Sequence, residues 1–207
     1  MNVTLISDTH GLHKGLTVPK TDLLIHAGDF SKLGTVQEVV DFMTWFTHLD
    51  ATHKVLIAGN HDFLAEKEPA VFKALIPRDC IYLEDDFVMI EGLKIWGSPI
   101  TPYFFNWAFN RHRGKEIKKY WDLIPEDVDI LVTHGPPLGI LDKTSRGDLV
   151  GCEDLLERVL KIKPKLHVFG HIHEAAGQLE RDGTVFVNAS VLNLAYNLVN
   201  LPVVLVV

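Results

Sequence analysis

Short apolar runs alternate with polar segments along the first part of the chain. Continuous apolar residues in VTLIS, DLLIHAG and HKVLIAG predict three strands that are buried on both faces. A helix is predicted over residues 35–49, between the second and third strands. The positions of this helix that recur at helical spacing, and that are expected to face a sheet, are Val36, Val40, Met43 and Phe46. Strands alternating with a helix in this way indicate a largely parallel sheet.

The pattern changes in the middle of the chain. CIYLE, FVMIEG and LKIWGS follow one another with almost no room for helices, which predicts antiparallel or mixed pairing. Later helices are predicted over residues 115–121 and in GCEDLLERVLKIK, and later strands in DILVTHG, LHVFG, TVFVNAS and LPVVLVV. These strands are too many for one small sheet. We therefore predict an α/β fold, a four-layer α/β/β/α sandwich of two mixed sheets flanked by helices.

The C-terminal run LPVVLVV is apolar at almost every position. An apolar run of this length is typical of a strand covered on both faces, so we expect an inner strand of a sheet. The alternative is an edge strand that two copies of the chain share.

Composition and charge restrict the class of protein. The 207 residues, 47% hydrophobic and 23% charged, suffice for one well-filled core, so residues 1–207 are expected to form a single domain. A net charge of −7 argues against a stable nucleic-acid complex. The sequence begins without the pattern of a secretory signal and lacks an apolar segment of roughly 18 residues, so we expect a cytoplasmic protein without a membrane partner.

Side chains that bind metals follow five of the predicted strands. In chain order they are Asp8 and His10, Asp29, Asn60 and His61, His134, and His171 and His173. Ligands of α/β sheets bind at the carboxyl ends of strands, and residues i and i+2 of an extended chain point to one side. Each of these residues, taken alone, is typical of a turn or cap, and the neighbouring glycines are typical of turns. Their recurrence at successive strand ends favours a metal site.

The motifs themselves resemble a known family. The ordered blocks SDTHG, AGDF, AGNHD, THGPP and FGHIH are similar to the signature of the calcineurin-like metallophosphoesterase superfamily. GSPITPYFFNWAFN, THGPPLG and VFVNAS resemble the branch of small metallophosphoesterase domain-containing proteins, and this likeness runs over nearly the whole chain. The resemblance implies two ions. It assigns to the first ion Asp8, His10 and His173, to the second Asn60, His134 and His171, and to both Asp29.

The donor types select the metal independently of the resemblance. Imidazole, carboxylate and amide oxygen without thiolate favour Mn, Fe or Zn over calcium, and we expect two divalent ions, with Mn as the first choice and Fe or Zn as alternatives. Such a pair of ions would lower the pKa of a bound water molecule and so supply a hydroxide for in-line attack on phosphorus.

Two further residues of the AGNHD block are expected to be catalytic. The resemblance assigns His61 to transition-state stabilisation or to protonation of the leaving oxygen. Asp62 is expected to orient an imidazole from behind, and the alternative is a helix cap or turn residue before the segment FLAEKE.

The segment from Pro102 to Gly114 is unusually aromatic and is expected to pack mainly on the core. In the alternative interpretation one ring stacks on a base or aryl leaving group, with Arg111 or Arg113 near the phosphate. The family resemblance implies a phosphodiesterase for small nucleotide-like substrates such as 2′,3′- or 3′,5′-cyclic nucleotides. The alternatives are a phosphomonoesterase, including a protein phosphatase, and a non-catalytic scaffold of the same fold.

Overall fold

The computed structural model describes residues 1–207, in which two large β-sheets pack face to face. The strands are β1 (Asn2–Ile6), β2 (Thr21–Ala27), β3 (Ala51–Ile57), β4 (Cys80–Tyr82), β5 (Asp86–Ile90), β6 (Leu93–Ser98), β7 (Thr101–Pro102), β8 (Asn110–Arg111), β9 (Ile130–Thr133), β10 (Leu166–Phe169), β11 (Gly177–Arg181), β12 (Thr184–Asn188) and β13 (Val203–Val206). The α-helices are α1 (Val36–Thr47), α2 (Phe63–Lys67), α3 (Pro69–Ala74), α4 (Lys115–Trp121) and α5 (Glu153–Ile162). Short 3-10 turns cover His13–Gly15 and His173–Ala175.

Both large sheets are mixed. The first has the order β13-β1-β2-β3-β4, and only its β1–β13 pair is antiparallel. The second has the order β11-β12-β10-β9-β6-β5, with a parallel centre and antiparallel pairs at its two edges. The predicted pair of mixed sheets is confirmed. None of the α-helices has the length and apolar character required to cross a lipid bilayer.

Alternate residues of the central strands enter different layers of the core. Leu5 and Val132 belong to the cluster between the two sheets, whereas Ile6 and Leu131 belong to the cluster under the helices. The helical residues of that second cluster come from every α-helix and include Phe42, Phe72, Ile117, Trp121 and Leu155. This alternation explains the continuous apolar runs, because both faces of each central strand are covered.

Helix α1 begins and ends close to its predicted bounds, but half of its predicted core face is wrong. The side chains of Val36 and Val40 are 47% and 38% exposed. The buried side chains of the helix are Val39, Phe42, Met43 and Phe46. Phe42 stacks on Phe30 with ring centroids 4.6 Å apart. The face with Phe42 and Phe46 packs inward because these rings bury more apolar area than Val36 and Val40 would.

The predicted position of the C-terminal strand is also wrong. β13 lies at the edge of the first sheet and pairs only with β1. Val204 and Val206 are 53% and 81% exposed, whereas Val203 and Leu205 pack against the cluster between the sheets. Its apolar run therefore reflects one buried face and not two.

Candidate metal centre and its cleft

The predicted metal-binding side chains all lie in loops that directly follow parallel strands. β1, β2 and β3 of the first sheet and β9 and β10 of the second supply these loops. The residues in them are Asp8, His10, Asp29, Asn60, His61, His134, His171 and His173. The carboxyl ends of the parallel strands of both sheets thus meet at one site.

A first group of potential ligand atoms comes from Asp8, His10 and His173, whose ligand atoms lie within 4.8 Å of one another. The Nε2 atom of His173 is 3.6 Å from Asp8 Oδ1. The Nδ1 atoms of His10 and His173 lie 3.1 and 3.2 Å from the carbonyl oxygens of Ser31 and Asn193. When Nδ1–H donates to a carbonyl, the Nε2 lone pair is left free for a metal ion.

A second group comes from Asp29, His134 and His171, again with ligand atoms within 4.8 Å of one another. The Nδ1 atom of His134 lies 2.9 Å from the carbonyl oxygen of Ala27, and its Nε2 lies 2.9 Å from Asn60 Oδ1. Burial alone would lower the pKa of His134, but the carboxylate of Asp29 outweighs it and raises this pKa to about 9. Asp29 therefore favours positive charge on His134, whereas burial lowers the pKa of His171 in the same group to about 3.

Asp29 lies between the two groups. Its Oδ2 is 3.6 Å from His10 Nε2 and 3.3 Å from His134 Nε2. Its Oδ1 accepts the backbone N–H of His61 at 2.8 Å. Burial would raise the pKa of Asp29, but the interaction with His134 holds it well below the ordinary value. One ionised carboxylate is therefore within reach of both groups.

The residues present fit divalent cations. His10 Nε2 is buried and has no hydrogen-bond partner, although it faces Asp29. A buried ring nitrogen without a partner is costly unless it binds a ligand. Imidazoles, carboxylates and an amide together form the donor set that Mn, Fe and Zn use.

Glycines allow this close packing. A Cβ atom added to Gly28 would lie 2.6 Å from His134 Nδ1, and one added to Gly59 would lie 2.7 Å from His134 Cε1. Gly28 also has a φ of +96°, but Gly59 has no positive φ. The interpretation of these glycines as turn residues therefore accounts for Gly28 only in part and for Gly59 not at all.

Four of the predicted ligand residues have a strained backbone. The φ angles of 55°, 41°, 56° and 69° belong to Asp8, His10, Asp29 and His171. A left-handed conformation costs a non-glycine residue roughly 1–3 kcal/mol and is common at functional sites. In Asp8 the surrounding contacts oppose this cost, since its carboxylate accepts the backbone N–H of His171 at 3.0 and 3.1 Å.

Asp62 lacks the predicted contact with an imidazole, but it occupies the N-cap position of α2 and closes a turn with Gly59, as the alternative interpretation has it. Its carboxylate contacts no imidazole and makes no capping bond to α2. It is 1% exposed, and Oδ2 accepts the backbone N–H groups of Asp29 and Gly59 at 2.9 and 2.8 Å. Oδ1 accepts the N–H and the hydroxyl of Ser31 at 3.0 and 2.6 Å. Burial and then the nearby Asp29 raise the pKa of Asp62 to about 7. Asp62 thus joins the loops after β2 and β3.

Two residues of the site had no predicted role. The hydroxyl of Ser190 donates to Asp8 Oδ2 at 2.5 Å. The ring of Tyr196 makes edge contacts with His10 and His173, with centroids 5.0 and 5.4 Å apart. The signal for Ser190 was only its place after a strand, in VFVNAS, and Tyr196 lies in an irregular segment with no periodic pattern.

A cleft of about 690 Å³ opens over the predicted metal-binding side chains. Aromatic side chains surround it, and no lysine or arginine lines it. Those aromatic residues, apart from the histidines, are Phe63, Phe104, Phe105, Trp107 and Tyr196. The aromatic segment therefore divides, because Phe109 is buried in the core as expected while Phe105 is 79% exposed at the cleft.

Neither predicted arginine lines this cleft. Arg111 donates to the hydroxyl of Tyr120 at 3.0 Å and pairs with Glu66 at 3.1 Å, so its guanidinium has a structural role. Arg113 lines a separate pocket next to His171.

Comparisons with known proteins identify the family of this chain. A family model for calcineurin-like phosphoesterases matches residues 1–175. The chain is similar to metallophosphoesterase domain-containing protein 1 of Homo sapiens, with 43% identity over 225 aligned residues that cover 97% of this chain and 69% of that protein.

Solved structures share the fold. A phosphopantetheinyl hydrolase from Mycobacterium tuberculosis matches with a TM-score of 0.67 and 15% identity, over 94% of this chain and 90% of that one. An archaeal phosphodiesterase matches with a TM-score of 0.52 and 18% identity, over 99% of this chain and 100% of the phosphodiesterase chain. Similarity at these identities shows the architecture alone.

Proposed function

We propose a substrate class and a metal dependence for this chain, which belongs to the calcineurin-like phosphoesterase family and is a phosphoester hydrolase. The proposed substrates are small phosphodiesters of the nucleotide type, including 2′,3′- and 3′,5′-cyclic nucleotides. The proposed cofactors are two divalent ions, preferentially Mn. The first ion would be held by Asp8, His10 and His173, the second by Asn60, His134 and His171, and both by Asp29.

The position of Asp29 is the observation that carries this proposal. Its Oδ2 lies between His10 Nε2 and His134 Nε2, at 3.6 and 3.3 Å. A carboxylate that accepts no proton at neutral pH and faces two groups of imidazoles is suited to hold two cations close together. Ions bound there would activate a water molecule and neutralise negative charge on the phosphoryl oxygens.

His61 is the proposed catalytic residue of the protein. Hydrolysis consumes one water molecule, breaks the bond from phosphorus to the leaving oxygen and adds a proton to that oxygen. The Nδ1 atom of His61 lies 2.7 Å from the carbonyl oxygen of Lys32, so Nδ1–H donates there and Nε2 is the nitrogen left to serve the cleft. In the protonated imidazole this Nε2–H can donate to the leaving oxygen.

The lining of the cleft favours diesters over monoesters. A diester carries one negative charge at neutral pH, whereas a monoester approaches two. The cleft supplies no lysine or arginine for the additional charge and includes the carboxylate of Glu174. Its aromatic walls instead offer surfaces on which a base or an aryl group can stack.

The test compares a diester with a monoester. Protein stripped of metal is titrated with Mn, and turnover of bis-p-nitrophenyl phosphate and p-nitrophenyl phosphate is followed beside metal content. We expect Mn-dependent cleavage of the diester that falls at least a hundredfold in both Asp29→Ala and His61→Ala, with Mn binding weakened only in Asp29→Ala. Asp127→Ala, which removes an exposed carboxylate, is the control.

Each other outcome selects a different function. Preferential cleavage of the monoester would replace the diesterase by a phosphatase. Protein that binds Mn and cleaves neither ester would be a scaffold of the same fold, and protein that binds no divalent ion would refute the metal site.

A further inference from the structure

A second pocket of about 350 Å³ adjoins the metal cleft, and we call it the side pocket. Phe104, His171 and Ile172 line both spaces. His171 is a proposed ligand of the second ion. A phosphoryl group bound at that ion would therefore lie beside both the aromatic cleft and the side pocket. The side pocket thus offers room for a part of the substrate that the cleft does not hold.

The side pocket contains a cation that is fixed in place. Arg113 donates from Nη1 to the carbonyl oxygen of Gly151 and from Nη2 to that of Val150, both at 2.8 Å. It forms no ion pair with a carboxylate, and a guanidinium has five N–H groups, so three remain available. Two carbonyl contacts hold the guanidinium plane without neutralising its charge.

The remaining walls are suited to a small polar group on an apolar stem. Thr144 Oγ1 is buried without a hydrogen-bond partner. Tyr103, Pro102 and Pro136 supply apolar surface. No aspartate or glutamate lines the side pocket, whereas Glu174 lines the cleft. The lining side chains of the two spaces therefore differ in charge, with a carboxylate at the cleft and a guanidinium at the side pocket, and the side pocket favours an anionic substituent.

We propose that the side pocket binds the second ester substituent of a linear phosphodiester and selects a substituent that carries an anionic group, a carboxylate or a phosphate. This inference rests on the proposed function. Two substituents diverge from the phosphorus atom of a linear diester, and in-line attack requires the leaving group to lie opposite the attacking oxygen. The other substituent then needs a space of its own. In a cyclic nucleotide both ester oxygens belong to one ring, so the side pocket adds selectivity only among linear diesters.

The first experiment varies only the second substituent. Aryl diesters with one p-nitrophenyl leaving group carry an ethyl, a carboxyalkyl or an aminoalkyl group on the other ester oxygen, with two to four methylenes in the charged chains. For the Mn-loaded protein we expect kcat/KM for the best carboxyalkyl ester to exceed that for the ethyl ester by about tenfold and the aminoalkyl esters to be the poorest. In Arg113→Gln the ratio of carboxyalkyl to ethyl should fall to about one.

A matched control removes the same charge from a different loop, the one between β9 and α5 that supplies Thr144 and Val150 to the side pocket. Arg146 is exposed and lines neither space, so Arg146→Gln should keep the preference for the carboxyalkyl ester. Equal kcat/KM for the ethyl and carboxyalkyl esters in the unmodified protein would overturn the proposal. So would a preference that survives in Arg113→Gln, or one that is lost equally in Arg146→Gln.

A binding measurement separates this proposal from the proposed function. Calorimetric titration of the Mn-loaded protein compares 3-phosphonopropionate with ethylphosphonate, which lacks the carboxylate. We expect about tenfold tighter binding of phosphonopropionate and no difference in Arg113→Gln. If no ester is cleaved but this difference is observed, the reaction is refuted and the anion subsite stands. If esters are cleaved and the difference is absent, only the subsite is refuted.

Discussion

The indole ring of Trp107 lies against the imidazole of His61, with ring centroids 4.2 Å apart and ring planes 32° apart. The rings of His61 and His10 are in T-shaped contact, with centroids 4.6 Å apart, and Nδ1 of His61 bonds to the carbonyl oxygen of Lys32. Trp107 comes from the aromatic segment and His61 from the loop after β3, so two distant parts of the chain set the orientation of one proposed catalytic ring.

Replacing Trp107 should slow the reaction more than it weakens binding. In Trp107→Ala the imidazole of His61 loses one of its contacts, and we expect kcat for bis-p-nitrophenyl phosphate to fall by about tenfold at unchanged Mn affinity. Steady-state kinetics and Mn titration measure the two effects. Phe87→Ala, which truncates an exposed ring on β5, is the control. A change in KM alone would show that Trp107 contacts substrate without orienting His61.

Gly59 should tolerate no side chain. An added Cβ would lie 2.5 Å from the backbone nitrogen of Asp29 and 2.7 Å from His134 Cε1. The loops after β2 and β9, which contain Asp29 and His134, would therefore have to move away from Gly59. We expect Gly59→Ala to lower the free energy of unfolding by about 2–3 kcal/mol and to weaken Mn binding. Gly135→Ala is matched to it, since that Cβ meets only Thr101 Cγ2 at 3.4 Å. Equal stability of the two variants in urea denaturation would contradict this prediction.

Removal of the Asp62 carboxylate should damage both stability and metal binding. In Asp62→Ala the backbone N–H groups of Asp29, Gly59 and Ser31 lose their acceptor in a buried site. We expect a loss of about 2–4 kcal/mol in the free energy of unfolding and Mn binding that is about 10–100-fold weaker. Asp62→Asn retains an acceptor oxygen and should be milder in both. A variant as stable as the unmodified protein would show that water replaces the carboxylate.

Acid should destabilise the protein in part through His167. Its ring is buried beside Phe169 and Phe186, and burial lowers its pKa from 6.5 to about 3. The unfolded chain therefore binds more protons than the folded chain between these values, so stability is complete above pH 6.5 and declines as the pH falls below it. Each pH unit in this window costs roughly 1.4 kcal/mol for this histidine.

The variant that tests this is His167→Gln. The amide can still donate to Thr133 Oγ1, which His167 Nε2 contacts at 2.9 Å. Urea denaturation at about pH 7 and about pH 5 should show a smaller loss of stability in His167→Gln than in the unmodified protein. The buried His26, whose pKa burial also lowers to about 3, should preserve part of the dependence. An identical slope in the two proteins would show that His167 does not titrate in this window.

Local patterns predicted most of the strands, and they failed where burial depends on neighbours. β1, β2 and β3 were predictable because their apolar runs are covered on both faces. β11, with GQLER, and the short helix α3 carry no clear periodicity and were not predicted. The inward face of α1 and the edge position of β13 depend on which other elements pack there. A single segment does not contain that information.

The amino-acid sequence by itself determined which donor types follow which strands, because strand ends and side-chain chemistry are local properties of the chain. Only the tertiary structure decided what these residues contact. Asp62 bonds to Asp29 across 33 positions, and Ser190 bonds to Asp8 across 182. Arg113 lies at a side pocket although Arg111, two residues earlier, is paired with Glu66. The contact of Asp62 with Asp29 requires the parallel pairing of β2 and β3, and that of Ser190 with Asp8 requires the two sheets to pack with their strand ends at one edge. Strand pairing and sheet packing therefore decide these contacts.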